Sequence, residues 1–389
     1  MTLSRAKRGG FASWWWTVDH VAFFAMFALI AIGLILAFAA SPAATGGPMT
    51  EGDFRYAAKQ IAFAVIAAGI LAGSSILSIR TIKLTAAIIF ALAVIGSALV
   101  LFTGSEVFGA KRWIDLGWLT LQPSEFLKPS FAILAATILA DPKPMKLPKE
   151  LITLCLVAFP ICFLLMQPDV GQTGLLLALW GALLFFAGLR LYWMGLLAGA
   201  GGGLFGFAYT FFPHVRHRID QYIAQMHDPD QAGYQAGLAL KAFEHGGLFG
   251  VGPGAGTIKY RIPDAHSDFI FAVAGEEFGL ILCALIAALF CLLTVRLLLR
   301  SARARDPFTQ LAGAGLAIVI GLQAFINMGV AISLLPAKGM TLPFISYGGS
   351  SLFAVALTMG FALAVTRQRP QLEMRDNTHN PIPHGARFA

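Results

Sequence analysis

Long, uninterrupted apolar runs are the feature that most constrains this chain. Each run approaches the roughly 20 residues that an α-helix needs to cross a bilayer. The runs fall at about 20–40, 57–77, 83–102, 123–140, 151–166, 172–189, 192–212, 268–295, 308–335 and 345–366. Because they are continuous rather than alternating, they favour helices over the strands of an outer-membrane barrel. We therefore predict an all-α polytopic membrane protein with about ten transmembrane helices.

The composition excludes the main soluble classes. Of 389 residues, 57% are hydrophobic and only 12% are charged, whereas soluble domains carry about 25% charged residues. Such a chain is neither a soluble enzyme nor a disordered protein. The four cysteines all lie in apolar stretches, where thiols pack as small hydrophobes, so a secreted disulfide scaffold is excluded as well.

Lysine and arginine concentrate in every second connection between the runs. The positive-inside rule then predicts that both termini are cytoplasmic. The predicted organisation is a cytoplasmic tail at 1–19, a single membrane domain at 20–366 and a second cytoplasmic tail at 367–389. One long external loop, 213–267, joins spans seven and eight. The net charge of +8 thus sets topology, and no nucleic-acid partner is predicted.

Four charged side chains lie within the apolar runs: Glu125, Lys128, Glu276 and Glu277. Each costs about 2.5–3.5 kcal/mol on insertion scales, so each must pair or line a wet cavity. Glu125 and Lys128 are three residues apart and can pair on one helix face. They form either a structural ion pair or part of a polar cavity reached from outside.

Asp268 falls where the external loop meets span eight. If it faces the bundle interior, helical geometry makes Glu276 the neighbour that shares its cavity, and Glu277 then needs a partner from another helix. The alternative for Asp268 is a helix N-cap. The six glycines of 246–256 favour a re-entrant turn over a phosphate-binding nest.

Five stretches together resemble the shape, elongation, division and sporulation (SEDS) family of glycosyltransferases. In chain order they are GAKRWIDLGWLTLQPSEFLK at 109–128, QPDVGQTG at 167–174, GYQAGLALKAFEHGGLFGVGPG at 233–254, PDAHSDFIFAVAGEEFG at 263–279 and LLPAKGMTLPFISYGGSS at 334–351. They occur in the family's order and are spread over most of the chain, from 109 to 351. The ten-span layout agrees with that resemblance.

The resemblance implies polymerisation of lipid II on the outer face of the bacterial cytoplasmic membrane. Asp268 matches the family's essential carboxylate and suits a general base for the acceptor hydroxyl. The resemblance and charge together make Arg112, Lys128 and Lys338 cations for the pyrophosphate leaving group. The other predicted cavity residues are Glu125, Glu276 and Ser346. A divalent cation such as Mg²⁺ or Mn²⁺ is compatible with this chemistry, but the sequence contains no defined ligand set.

The family's usual partner is a class B penicillin-binding protein, an FtsI-like transpeptidase, together with other divisome membrane proteins. Lys338 before Gly339 is typical of division-type members, which act at the septum, whereas Ser267 and Ala337 depart from the usual pattern. An elongation-type polymerase therefore remains an alternative function. Two further alternatives are a lipid II flippase and a scaffold for other division proteins. The flippase is included because intramembrane charges also mark transport paths.

Overall fold

The computed structural model describes residues 14–45, 54–107, 110–211, 216–217, 220, 234–336 and 339–367. Most of both predicted tails and much of the predicted external loop lie outside these ranges. Within them, a helix occupies each of the ten predicted apolar segments, and one further helix, α8, precedes the eighth. The helices are α1 (His20–Thr45), α2 (Arg55–Ile76), α3 (Ile79–Thr103), α4 (Pro123–Leu139), α5 (Lys149–Met166), α6 (Val170–Phe186), α7 (Leu191–Phe211), α8 (Tyr234–Gly246), α9 (Ile270–Ala302), α10 (Pro307–Ala331) and α11 (Gly349–Thr366).

Seven of the described helices are long and apolar enough to cross a membrane: α1, α2, α3, α5, α9, α10 and α11. Helix α6 is apolar but shorter, at 17 residues. Several starts are fixed by side-chain caps. Ser78, Asp169 and Asp306 each accept the backbone N–H of the residue three positions on, which satisfies a donor that the first helical turn leaves free.

The helices differ sharply in how much of their surface the protein covers. In α11, 94% of the apolar window is buried inside the protein, against 22% in α5 and 28% in α9. Helix α11 packs most extensively against α2 and also contacts α4 and α10. An apolar helix with an apolar outward face fits lipid as its solvent. The chain is therefore a helical bundle with α11 at its centre and α3 and α5 at its rim, while α9 is buried over its first eight residues, 270–277.

The all-α prediction is incomplete, because three short strands follow α3. They are β1 (Ser105–Val107), β2 (Ala110–Asp115) and β3 (Thr120–Leu121), paired antiparallel in the order β1–β2–β3. Gly117 at φ +82° lies in the turn that brings β3 back alongside β2. This small sheet ends directly before α4 and holds Arg112 on its central strand.

Helix α9 is broken at Gly279, whose φ of +78° and ψ of 179° are non-helical. The Gly-rich turn after α8 repairs the break. The N–H groups of Leu280 and Ile281 donate to the carbonyls of Gly247 and Leu248. The N–H groups of 251 and 252 donate in return to the carbonyls of 276 and 277. The predicted turn is present, and it supplies backbone partners that a broken apolar helix requires.

Two predicted spans end elsewhere than the apolar runs indicate. Helix α10 ends at Ala331 rather than 335, and α11 begins at Gly349 rather than 345. Pro336 and Pro343 fall between them, and proline lacks a backbone donor and disfavours the helical conformation of the residue before it. The residues released from both helices belong to the connecting loop 332–348, whose end, at Ser346 and Tyr347, bonds to the segment before α9.

Candidate active site

Asp268 lies two residues before α9, in a segment held by backbone hydrogen bonds. Its N–H donates to the carbonyl of Asp264 at 3.1 Å, and its carbonyl accepts from Asn327 Nδ2 at 2.9 Å. The N-cap of α9 is Phe269, which makes no side-chain cap. The N-cap alternative for Asp268 is therefore wrong, and its side-chain oxygens have no hydrogen-bond partner among the described residues.

The surroundings of Asp268 favour its protonated form. Burial and, after it, the carboxylate of Asp264 raise the pKa of Asp268 to about 7, while Arg112 opposes the rise and Glu125 adds to it. A carboxyl group with such a pKa is half ionised near neutral pH. It can therefore accept a proton and release it again under physiological conditions.

Arg112 reaches the site from β2 and is held by two backbone carbonyls. Nε donates to Gln167 O at 3.4 Å and Nη2 donates to Pro168 O at 2.7 Å. Its third nitrogen, Nη1, has no acceptor among the described residues. A Cβ atom built on Gly339 would lie within 4 Å of both Asp268 Oδ2 and Arg112 Nη1. The structure thus brings together two of the predicted site residues.

Glu125 and Lys128 form the predicted ion pair, with Lys128 Nζ 2.7 Å from Glu125 Oε2. The same ammonium donates to Gln323 Oε1 at 2.7 Å, and Gln172 Nε2 donates to Glu125 Oε1 at 2.5 Å. Gln323 in turn donates to the carbonyl of Thr341 at 3.1 Å. Both charges are buried, so these neighbours stabilise a pair that would otherwise lose its hydration. The network joins α4, α6 and α10 to the loop 332–348.

Ser346 lies in the same loop and fastens it to the segment before Asp268. Its hydroxyl donates to Ser267 O at 2.5 Å and accepts from Leu342 N at 2.7 Å. The next residue, Tyr347, donates its N–H to His266 O at 3.0 Å. Ser346 is thus within one residue of Asp268 through the backbone, while Lys338 lies outside the described residues.

Glu276 does not share a cavity with Asp268 as helical geometry predicts. Its carboxylate accepts the backbone N–H groups of Thr257, Ile258 and Lys259 at 2.7–2.9 Å and lies 3.1 Å from His245 Nδ1. The prediction is wrong because the Gly-rich turn folds back onto α9 and presents a short 3₁₀-helix, Ile258–Arg261, whose free N–H groups attract a carboxylate.

Glu277 finds its partner in the same returning segment rather than on another membrane helix. Its carboxylate pairs with Lys259 and accepts the N–H of Gly254 at 2.9 Å. Lys259 also donates to the carbonyl of Ala39 in α1 at 2.7 Å. The two side chains are fully buried, so this pair ties α1, the 3₁₀-helix and α9 together.

Sequence reasoning missed three buried polar residues that surround the site: Asp169, Gln323 and Asn327. Gln323 and Asn327 are four residues apart in an apolar span, a spacing that places two polar groups on one helix face. Asp169 Oδ2 and Asn327 Oδ1 are buried and have no hydrogen-bond partner within the described part of the chain. Among the described residues, no group of three or more His, Cys, Asp or Glu side chains has the arrangement of a metal site.

Known proteins share this fold and sequence over nearly the whole chain. A protein named probable peptidoglycan glycosyltransferase FtsW from Caulobacter vibrioides is 40% identical over 369 residues, which cover 94% of each chain. Thermus thermophilus rod shape determining protein RodA is 25% identical with a TM-score of 0.66, covering 90% of this chain and 97% of its own.

A second solved structure is described as the structural coordination of polymerization and crosslinking by a peptidoglycan synthase complex. One of its chains is 27% identical to this one with a TM-score of 0.73, covering 90% of this chain and 97% of that chain. The sequence profile of the FtsW, RodA and SpoVE cell cycle proteins matches residues 19–371. With a match of that extent, this multi-pass membrane protein belongs to the FtsW/RodA/SpoVE family.

Proposed function

We propose that this chain is a peptidoglycan glycosyltransferase that polymerises lipid II during septal wall synthesis. The observation that carries the proposal is the carboxylate of Asp268, which has a pKa of about 7 and no hydrogen-bond partner among the described residues, beside the guanidinium of Arg112. The relatives' name supports the reaction class, and the division-type name of the 40% identical relative supports the septal role over an elongation role.

The proposed step is a single inverting displacement. The 4-hydroxyl oxygen of the acceptor sugar bonds to the anomeric carbon of the donor, and the hydroxyl proton passes to Asp268. The bond from that carbon to the pyrophosphate breaks, and undecaprenyl pyrophosphate leaves with the electron pair. Arg112 and Lys338 stabilise the charge that develops on the leaving group, while the Glu125–Lys128 pair holds the loop 332–348 in place.

The proposal places Asp268 at the outer face of the cytoplasmic membrane, where the positive-inside rule puts the loop 213–267. It also includes a class B penicillin-binding protein as partner, since the peptidoglycan synthase complex couples polymerization to crosslinking. A divalent cation such as Mg²⁺ or Mn²⁺ is compatible with the pyrophosphate leaving group, and the described residues contain no cluster of three or more His, Cys, Asp or Glu side chains that would hold one. Titrating Mg²⁺ and Mn²⁺ into the polymerisation assay tests that part.

The decisive experiment is polymerisation of fluorescent lipid II by the purified full-length chain with its transpeptidase partner. Asp268→Asn keeps the size of the side chain but removes the base, so we expect a rate loss of at least about 100-fold. Asp115→Asn, an exposed carboxylate on the small sheet, is the matched control. Equal rates for Asp268→Asn and wild type would refute the assignment of the base. Transfer of lipid II across vesicles without polymer would instead favour a flippase.

A further inference from the structure

An open gap separates the two groups that the proposed reaction uses. Its two chain neighbours aside, a Cβ atom added to Gly339 would lie 3.5 Å from Asp268 Oδ2 and 3.8 Å from Arg112 Nη1, with no other heavy atom of the described residues within 4 Å. Both groups are described, and no ion pair joins them. Carboxylate and guanidinium therefore both border the space that a side chain at position 339 would occupy.

The walls of this gap are held by buried polar contacts. Asn327 is 1% exposed, and its Nδ2 donates both to Asp268 O at 2.9 Å and to Met340 O at 2.6 Å. One amide thus fixes the residue after Gly339 and the carboxylate-bearing residue relative to each other. Arg112 is fixed separately by its two carbonyl contacts. The gap is consequently preformed, as binding at low entropic cost requires.

The backbone at Gly339 directs any side chain into the gap. Its φ of +60° lies in the left-handed region, where residues with a Cβ are strained. A methyl group there would still be in ordinary van der Waals contact with Asp268, whereas a branched side chain would extend between Asp268 and Arg112. Within the described part of the chain, the lack of a side chain at position 339 keeps the space beside both groups free.

We propose that Gly339 determines access to the transfer subsite, the space in which a phosphate oxygen of the donor contacts Arg112 Nη1 and the attacking hydroxyl contacts Asp268 Oδ2. This inference rests on the proposed glycosyltransferase function. A guanidinium donates strongly to phosphate oxygens, and an unpartnered carboxylate accepts from a hydroxyl. A side chain at 339 displaces the phosphate from Arg112, the hydroxyl from Asp268, or both. The hydrogen bonds that hold Arg112 and Asp268 in place stay intact.

The test compares two left-handed glycines. Gly339→Ala and Gly339→Val are measured beside Gly188→Ala and Gly188→Val, because Gly188 has φ +88° and no heavy atom within 4 Å of its added Cβ. Both pairs carry left-handed backbone strain, but Gly188 lies in the α6–α7 connection. In lipid II polymerisation by the full-length protein we expect Gly339→Val to lose about 100-fold, the effect of displacing reacting groups by about 1 Å, while Gly188→Val keeps the wild-type rate.

A pH profile distinguishes a blocked subsite from a damaged fold. The charged groups facing Asp268 are Asp264, Arg112 and Glu125. A methyl at 339 leaves all three in place but removes water from Asp268, which raises the pKa of its carboxyl further. The acid limb of the pH–rate profile is the range in which the rate falls as pH drops. It should therefore move to higher pH in Gly339→Ala and stay unchanged in Gly188→Ala.

The outcomes separate this inference from the function on which it rests. If wild type polymerises lipid II and Gly339→Val matches Gly188→Val, the subsite is refuted and the enzyme assignment stands. If Gly339→Ala slows the reaction with an unmoved acid limb, the residue acts through folding alone, which also overturns the inference. If wild type forms no polymer, the proposed function fails and the subsite fails with it.

Discussion

At the scale of single residues, the site depends on polar groups that the bilayer penalises. Glu125, Lys128 and Asp268 stand out in the sequence because charge inside an apolar run is costly, and the structure places the first two in contact. Arg112 is different, because it lies in a short polar connection where a basic residue is unremarkable. Only folding shows that two backbone carbonyls of the α5–α6 turn orient it.

The raised pKa of Asp268 gives the reaction a defined pH dependence. A base must be ionised to accept a proton, so the rate falls as pH drops through the pKa of about 7 and levels off above it. Removing the neighbouring negative charge with Asp264→Asn lowers the pKa of Asp268, and the acid limb should move to lower pH. Asparagine tolerates the φ of +55° at position 264.

The measurement is the initial rate of lipid II polymerisation between pH 5 and 9 at constant ionic strength. Asp115→Asn serves as the control, because Asp115 is exposed on the small sheet and is not among the charged groups that shift Asp268. An acid limb that Asp264→Asn leaves in place, or moves upward, would contradict a titrating Asp268.

At the scale of elements, the segment 234–279 behaves as a single inserted unit. Helix α8 and the Gly-rich turn supply backbone partners to the broken helix α9, and Glu276 and Glu277 bind the 3₁₀-helix. The six glycines predict the turn, but the sequence does not reveal where it docks. The docking position depends on a contact between the turn and the helix break at Gly279. No local sequence pattern encodes this contact.

Lys259 and Glu277 should be strongly coupled in stability. Lys259→Met alone leaves a buried carboxylate unpaired, which costs about 3–5 kcal/mol, whereas replacing both partners with neutral residues costs much less. We therefore expect the double variant Lys259→Met with Glu277→Gln to be more stable than either single variant. Thermal unfolding of the four proteins in detergent micelles measures the coupling.

The exposed pair Arg216–Asp220, with side chains 64% and 49% exposed, provides the comparison. The same double-variant cycle there should give a coupling below about 1 kcal/mol. Additive losses at Lys259 and Glu277 would mean that the buried pair contributes no more than this surface pair.

At the scale of the whole molecule, hydropathy predicts most of the architecture. All ten apolar segments coincide with described helices, because a run of about 20 apolar residues has few alternatives in a membrane. Helix order along the chain does not determine which helix is central. Helix α11 is rich in small residues that allow close packing on all sides, but its mean hydropathy of 1.7 is close to the 2.0 of the lipid-facing helix α5.

The orientation of the molecule is tested by cysteine labelling in spheroplasts. In a cysteine-free background, Trp118→Cys on the small sheet should react with a membrane-impermeant maleimide, because the positive-inside rule places that connection outside. Ala302→Cys lies at the C-terminal end of α9, the end away from Asp268. It should react only after permeabilisation. Both positions are exposed, so unequal labelling reports sidedness rather than burial, and the reverse pattern would invert the proposed topology.

The central position of α11 has a consequence for biosynthesis. Helices enter the membrane in the order of translation, so α1 to α10 are inserted before the segment that fills the space between them. Until α11 arrives, the surfaces of α2, α4 and α10 that contact it face lipid or each other. The bundle is thus completed by its last described helix. A ribosome that stalls before residue 349 leaves an intermediate in which α2, α4 and α10 lack their common partner, and membrane quality control would remove it.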